Sequence, residues 1–198
     1  VAILREQGLT SGLELAAAFD RAGFDAVDLH MSDLMSGRAS LSQFRTIAAP
    51  GSASFGNVMG EGVAWAKAIL FNDKMKEEFR SFFHRPDTLA LGVCNGAQLF
   101  AHLAELIPGA EVWPSFERNR SEQFEGRLSM VEIVKSPSLL LRGMEGARLP
   151  IAVAHGEGRA VWNDPKRADA ALASGLLAMR FIDDEGKAAK NYPANPNG

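Results

Sequence analysis

Leu89-Ala90-Leu91-Gly92-Val93-Cys94-Asn95-Gly96-Ala97-Gln98 decides the reading of this chain. Residues 88–93 form its most hydrophobic strand candidate. A helical pattern on Leu99, Leu103 and Leu106 follows without a linker, until Pro108 and Gly109 close it. A strand that runs into a helix through one residue, with a glycine two positions away on either side, is an elbow. Such a turn holds the central side chain in a strained conformation above the end of the sheet, and bulky neighbours at the ±2 positions would collide. The helix N-terminus beneath the sulfur favours a thiolate, and the amide of Asn95 can face an oxyanion. Cys94 therefore reads as a nucleophile. The alternative is an inert thiol at the end of a core strand, with Gly96 as a turn residue. Cys94 is the only cysteine, so neither an internal disulfide nor a thiolate metal site can be built.

Outward from this elbow, strand and helix signals alternate. Residues 1–4 are a short apolar run of the kind buried in a parallel sheet. Ser11 and Glu14 have the spacing of a capping box, apolar residues follow at helical intervals, and Gly23 closes a helix predicted over 11–22. Strands follow at 24–29 and 46–49. A glycine-rich loop over 50–62 leads into helical stretches at 65–71 and through Met75, Phe79 and Phe82. Beyond the elbow, strands are expected at 127–134, 150–154 and 176–182, with a short helix at 165–173. This alternation predicts an α/β fold: an open, mostly parallel twisted sheet with helices on both faces.

A chain of 198 residues, 46% hydrophobic, is long enough for a substantial core and is expected to form one domain. The net charge of −3, with no Lys and Arg cluster interleaved with aromatics, argues against a nucleic-acid partner. No run approaches the length of a membrane span, and the first residues do not read as a signal peptide, so a cytoplasmic protein without a membrane partner is expected. No His, Cys, Asp or Glu spacing suggests a metal. His155 ends the predicted strand at 150–154 beside Gly156 and Gly158, where ligands of open sheets bind, and is a tentative site residue. His30, His84, His102 and Glu157 read as surface or structural.

Six blocks of the sequence, taken together, resemble one family. They are Val1-Ala2-Ile3-Leu4-Arg5-Glu6-Gln7-Gly8, Ala18-Phe19-Asp20-Arg21-Ala22-Gly23-Phe24-Asp25-Ala26, His30-Met31-Ser32-Asp33-Leu34, Leu91-Gly92-Val93-Cys94-Asn95-Gly96, His155-Gly156-Glu157-Gly158-Arg159 and Tyr192-Pro193-Ala194-Asn195-Pro196-Asn197-Gly198. In this order they look like the C-terminal class I glutaminase domain of large, single-chain phosphoribosylformylglycinamidine synthases, whose fold is flavodoxin-like. The resemblance implies that Cys94 attacks the side-chain amide of glutamine, forms a thioester and releases ammonia. It implies Asn95 and Gly51 as oxyanion amides, and Gln98, Asn119 and Ser121 as contacts to the substrate. It implies no cofactor in this domain. The partner would be a synthetase domain of the same parent chain, using ATP and Mg2+ to convert formylglycinamide ribonucleotide to its amidine.

Besides Gly96-Ala97 in place of Gly-Cys, the sequence departs from the family pattern in two places and stops short of a third. Where the family reads Cys-Gly-Gly-Phe-Ser-Tyr-Gly-Asp, this chain has Pro50-Gly51-Ser52-Ala53-Ser54-Phe55-Gly56-Asn57, so Ser52 stands at a glycine position whose conformation costs other residues roughly 1 kcal/mol or more. Next, Glu61-Gly62-Val63-Ala64-Trp65 replaces Ala-Gly-Glu-Gly-Trp. The triad His and Glu belong to a Pro-His-Pro-Glu-like segment expected after Gly198, so these residues read as a piece cut from a longer multidomain chain, inactive alone. Two other readings stay open: a non-catalytic scaffold of the same fold, and another elbow-cysteine hydrolase of the superfamily.

Overall fold

The computed structural model describes residues 1–52, 54–55 and 59–197, so the expectations placed on Asn57 and Gly56 lie outside the described residues. The chain divides into two compact units, Val1–Glu111 and Val112–Gly198.

In the first unit, strands β1 (Ala2–Arg5), β2 (Val27–His30), β3 (Thr46–Ala49) and β4 (Leu89–Gly92) form a parallel sheet in the order β2-β1-β3-β4. The helices are α1 (Gly12–Arg21), α2 (Met31–Ser36), α3 (Glu61–Leu70), α4 (Asp73–Phe83) and α5 (Asn95–His102). Strand alternation sorts the core onto two faces. Ala2 and Leu4 point the same way as Ile47 and Ala49, and these four pack in one cluster with Trp65, Phe79 and Leu99 from the helices. Ile3 and Ala48 point to the opposite face, where Gly12 at the start of α1 lies close enough that a Cβ on it would touch Ile3 Cγ2 at 3.9 Å. The expected open α/β sheet with helices on both faces is therefore present. Its strand order is the doubly wound type, which binds ligands beyond the carboxyl ends of the strands. Those ends lead to Gly51 after β3 and Cys94 after β4.

Side-chain caps begin two of these five helices. Asn72 accepts the Met75 N–H at 3.1 Å as cap of α4. Helix α2, which the sequence reading missed, is capped by His30, whose Nδ1 accepts the Ser32 N–H at 3.1 Å, and is ended by Gly37 at φ 78°. The capping box predicted at Ser11 does not form. Ser11 sits at φ −83°, ψ 11°, outside the extended region a cap uses, and its hydroxyl is turned elsewhere.

The second unit is built of antiparallel sheets. It contains β5 (Ser115–Glu117), β6 (Glu125–Ile133), β7 (Arg148–His155), β8 (Arg159–Val161), helix α6 (Pro165–Ala173) and β9 (Met179–Phe181). One sheet has the order β7-β6-β9 and the other pairs β5 with β8. The physical reason is the connection: residues 134–147 between β6 and β7 contain no helix, and a chain without a crossover returns antiparallel. Across the first of these sheets Glu132 binds Arg180 at 2.7 Å and faces Arg148 at 3.8 Å.

Candidate active site

Cys94 has φ 53° and ψ −113°, a left-handed backbone rarely tolerated by a residue with a Cβ, and its side chain is exposed. The surrounding glycines account for how the turn survives. A Cβ on Gly92 would come within 2.5 Å of the Gly96 carbonyl oxygen, and a Cβ on Gly96 would overlap the Ala49 carbonyl of β3. Both obstacles are backbone atoms, so neither can swing aside. The elbow is pinned from below by the Val93 N–H, which donates to Ala49 O at 3.0 Å, and from above by the first turn of α5, where Ala97 N–H and Gln98 N–H donate to Cys94 O at 2.9 and 3.1 Å. As the first helical residue, Asn95 has no acceptor for its N–H within its helix, and that N–H stands next to the sulfur in the chain.

Gly51 lies against this cysteine. A Cβ on it would sit 2.7 Å from Cys94 Cβ and 3.5 Å from Cys94 Sγ, so only glycine lets the β3 loop pass this close to the thiol. The same loop is held at three further points. Ser11 Oγ–H donates to Gly51 O at 2.6 Å, which is where the hydroxyl expected to cap α1 goes. Asn95 Nδ2–H donates to Ser52 O at 2.7 Å and also to the Glu61 carboxylate. The Ser54 N–H donates to Glu61 Oε2 at 2.8 Å. Ser52 itself has φ 78°, the left-handed conformation anticipated from its standing at a glycine position. Its hydroxyl receives the Thr10 N–H at 3.2 Å and shares a hydrogen bond with Thr10 Oγ1 at 2.7 Å, contacts that a glycine could not make and that offset the strain. Gln98, half-buried one turn past Cys94, lies with its Cβ and Oε1 against Gly62 of α3, where a Cβ would collide.

The second unit holds the other residues singled out from sequence. Asn119 is buried, and its side chain is fully occupied: Nδ2 donates to Gln123 O and His155 O at 2.9 and 2.7 Å, and Oδ1 accepts the Gly158 N–H at 3.2 Å and meets His155 Nδ1 at 2.9 Å. With two carbonyls claiming its NH2 group, Asn119 presents oxygen to the imidazole, which fixes Nδ1 as a donor. The other ring nitrogen, Nε2, meets the side chain of Asn197 at 2.8 Å. His155 thus ties the loop at 119 to the turn at 197 and has both nitrogens engaged. Ser121, half-buried, makes a local turn with Gln123 at 3.4 Å. His84 Nδ1 lies 2.9 Å from Arg80 O at the end of α4, in keeping with a structural role.

Glu61, Thr10 and the side chain of Asn95 were not singled out in advance. Their partners lie 7, 42, 34 and 43 positions away, and no local pattern announces such bonds. Among the described residues no group of His, Cys, Asp and Glu could hold a metal ion, and no helix is long and apolar enough to cross a membrane.

A cysteine elbow thus stands at the carboxyl end of a doubly wound parallel sheet, with a glycine loop against its sulfur. The family profile of the CobB/CobQ-like glutamine amidotransferase domain matches residues 1–198, and the chain belongs to that family. Among solved structures it is similar to PurLQS from Thermotoga maritima, with 19% identity, a TM-score of 0.64, and coverage of 95% of this chain and 78% of that one. A glutamine amidotransferase, also from Thermotoga maritima, overlaps less, with 18% identity, a TM-score of 0.45, and coverage of 78% and 59%.

Proposed function

We propose that this chain is the glutaminase domain of a phosphoribosylformylglycinamidine synthase and that Cys94 is its nucleophile. The observation that carries the reading is the left-handed elbow at Cys94 with the Gly51 backbone packed against its Cβ and Sγ. In this scheme the Cys94 thiolate attacks the side-chain carbonyl carbon of glutamine. The negative charge that develops on the carbonyl oxygen is met by the N–H groups of Asn95 and Gly51. Collapse of that adduct expels the amide nitrogen, which leaves as ammonia after taking a proton, and water then cleaves the γ-glutamyl thioester to glutamate and the free thiol. Strain stored in the elbow, on the order of 1–3 kcal/mol, keeps the sulfur presented before substrate arrives.

The resemblance assigns the remaining parts. Gln98 grips the substrate amino acid, and the loop of Asn119 and Ser121 holds its α-substituents. Because the Asn119 side chain is spent inside its own loop, Ser121 Oγ and the loop backbone are the groups offered. The general base is the histidine of the Pro-His-Pro-Glu-like segment. His155 is a poor substitute, since Asn119 and Asn197 occupy both its nitrogens. The ammonia serves an ATP-dependent synthetase domain of the same parent chain, in purine biosynthesis.

The test is mass-spectrometric. In the full-length protein a glutamine-analogue electrophile should modify the peptide containing Cys94, and Cys94→Ala should lose both this label and glutamine-dependent conversion of formylglycinamide ribonucleotide. A wild-type protein that releases no ammonia from glutamine and leaves Cys94 unmodified would support the scaffold reading instead.

A further inference from the structure

Glutamate is among the residues least often buried without a specific partner, yet Glu61 is buried. It is the first residue of α3, where the helix N-terminus favours a negative charge. The same oxygen, Oε2, accepts hydrogen bonds from the Ser54 N–H and from Asn95 Nδ2. Asn95 in turn donates to Ser52 O, so one carboxylate joins the β3 loop at residues 52 and 54 to the first residue of α5. Those two pieces of backbone carry the two amides that the glutaminase scheme uses against the oxyanion, Gly51 N–H and Asn95 N–H. Their separation is a catalytic dimension, because an error of about 1 Å in such a site costs on the order of a hundredfold in rate.

We propose that Glu61 is a positioning residue for the oxyanion hole, clamping the β3 loop to the start of α5 so that the Gly51 and Asn95 amides converge on one point. This rests on the glutaminase reading above. Glu61 acts through its bonds to Asn95 and Ser54. It stands where the family pattern has alanine, and Ser52 stands where that pattern has glycine, so the clamp secures a loop that this sequence has altered.

The experiment compares Glu61→Ala and Glu61→Gln in the full-length protein by glutamine-dependent ammonia release, with alkylation of Cys94 by iodoacetamide as a second readout. A tetrahedral oxyanion forms with glutamine but not with iodoacetamide. Glu61→Ala should therefore lower kcat by roughly a hundredfold, with KM for glutamine and the alkylation rate within about threefold of wild type. Because a single oxygen makes both bonds, the one side-chain oxygen of Gln can keep them, and Glu61→Gln should recover kcat to within about tenfold of wild type. An unchanged kcat in Glu61→Ala overturns the proposal. So does equal damage to kcat, KM and alkylation in both variants, which would mark a folding role. A wild-type protein that fails to release ammonia sinks the glutaminase reading, and the clamp with it. A normal wild type with an insensitive Glu61→Ala sinks the clamp alone.

Discussion

Gly51→Ala puts the sharpest strain on the site as described. The added Cβ would lie 2.7 Å from Cys94 Cβ, 3.3 Å from Val93 O and 3.5 Å from Cys94 Sγ. The sulfur can rotate away, but Cys94 Cβ cannot, because Gly92 and Gly96 leave the elbow no room to turn. Ordinary contact begins near 3.4 Å, so the β3 loop must withdraw by roughly 0.7 Å. That distance carries the Gly51 amide away from the oxyanion position, and loss of one such donor costs about 10²–10³ in kcat, or about 2.7–4 kcal/mol of transition-state stabilisation. The fold should bear the change more easily, with overpacking of about 1–3 kcal/mol relieved as the loop withdraws. Steady-state ammonia release and urea unfolding of the same preparation separate the two effects. A kcat within fivefold of wild type would refute the assignment of Gly51, and a collapse of the unfolding transition would refute the claim that the loop absorbs the strain.

Gly96→Ala should behave in the opposite way. Its Cβ overlaps the Ala49 carbonyl at the carboxyl end of an interior strand, so a stability loss of about 3 kcal/mol or more is expected by urea denaturation, and a soluble variant of wild-type stability would contradict the packing described. Ser52→Gly relieves a left-handed backbone worth about 1–2 kcal/mol but removes two exposed hydrogen bonds of about 0.5–1.5 kcal/mol each, so its midpoint should stay within about 1 kcal/mol of wild type. Hydrogen bonds from Arg180 hold the Glu132 carboxyl below the usual carboxylate range. A lowered native pKa means stability that is fully present above the ordinary carboxylate value and lost as pH falls through the native one. Glu132→Gln should therefore unfold at lower urea than wild type at neutral pH, and the two should converge in strong acid; a gap independent of pH would exclude this ion pair as its cause.

How much could be read in advance depended on how far each residue's partner lay. The strand at Thr46–Ala49 and the helix at Pro165–Ala173 were legible to the residue, the first as a bounded apolar run and the second because Asp164 and Pro165 mark a helix start within three positions. The elbow was legible for the same reason, since its glycines flank the cysteine at ±2. Helix α2 was missed because its cap is a histidine, and β5 and β8 because three residues carry too little pattern. Ser11 was misread because its hydroxyl answers a carbonyl 40 residues away rather than the amide three residues on. The antiparallel second unit was hidden because a strand's composition does not record the direction of its neighbour. The clamp at Glu61 was invisible altogether, since a glutamate at a helix start looks the same whether it faces water or the catalytic loop.

The bonds between Ser52 and Thr10 couple the stability effects of two positions 42 residues apart. Part of the strain at Ser52 is offset through Thr10, so Thr10→Val, which keeps the backbone N–H bond and loses the hydroxyl contact, should cost less in a chain that already carries Ser52→Gly than in one that keeps Ser52. The β3 loop is thus coupled to residue 10, in the connection between β1 and α1.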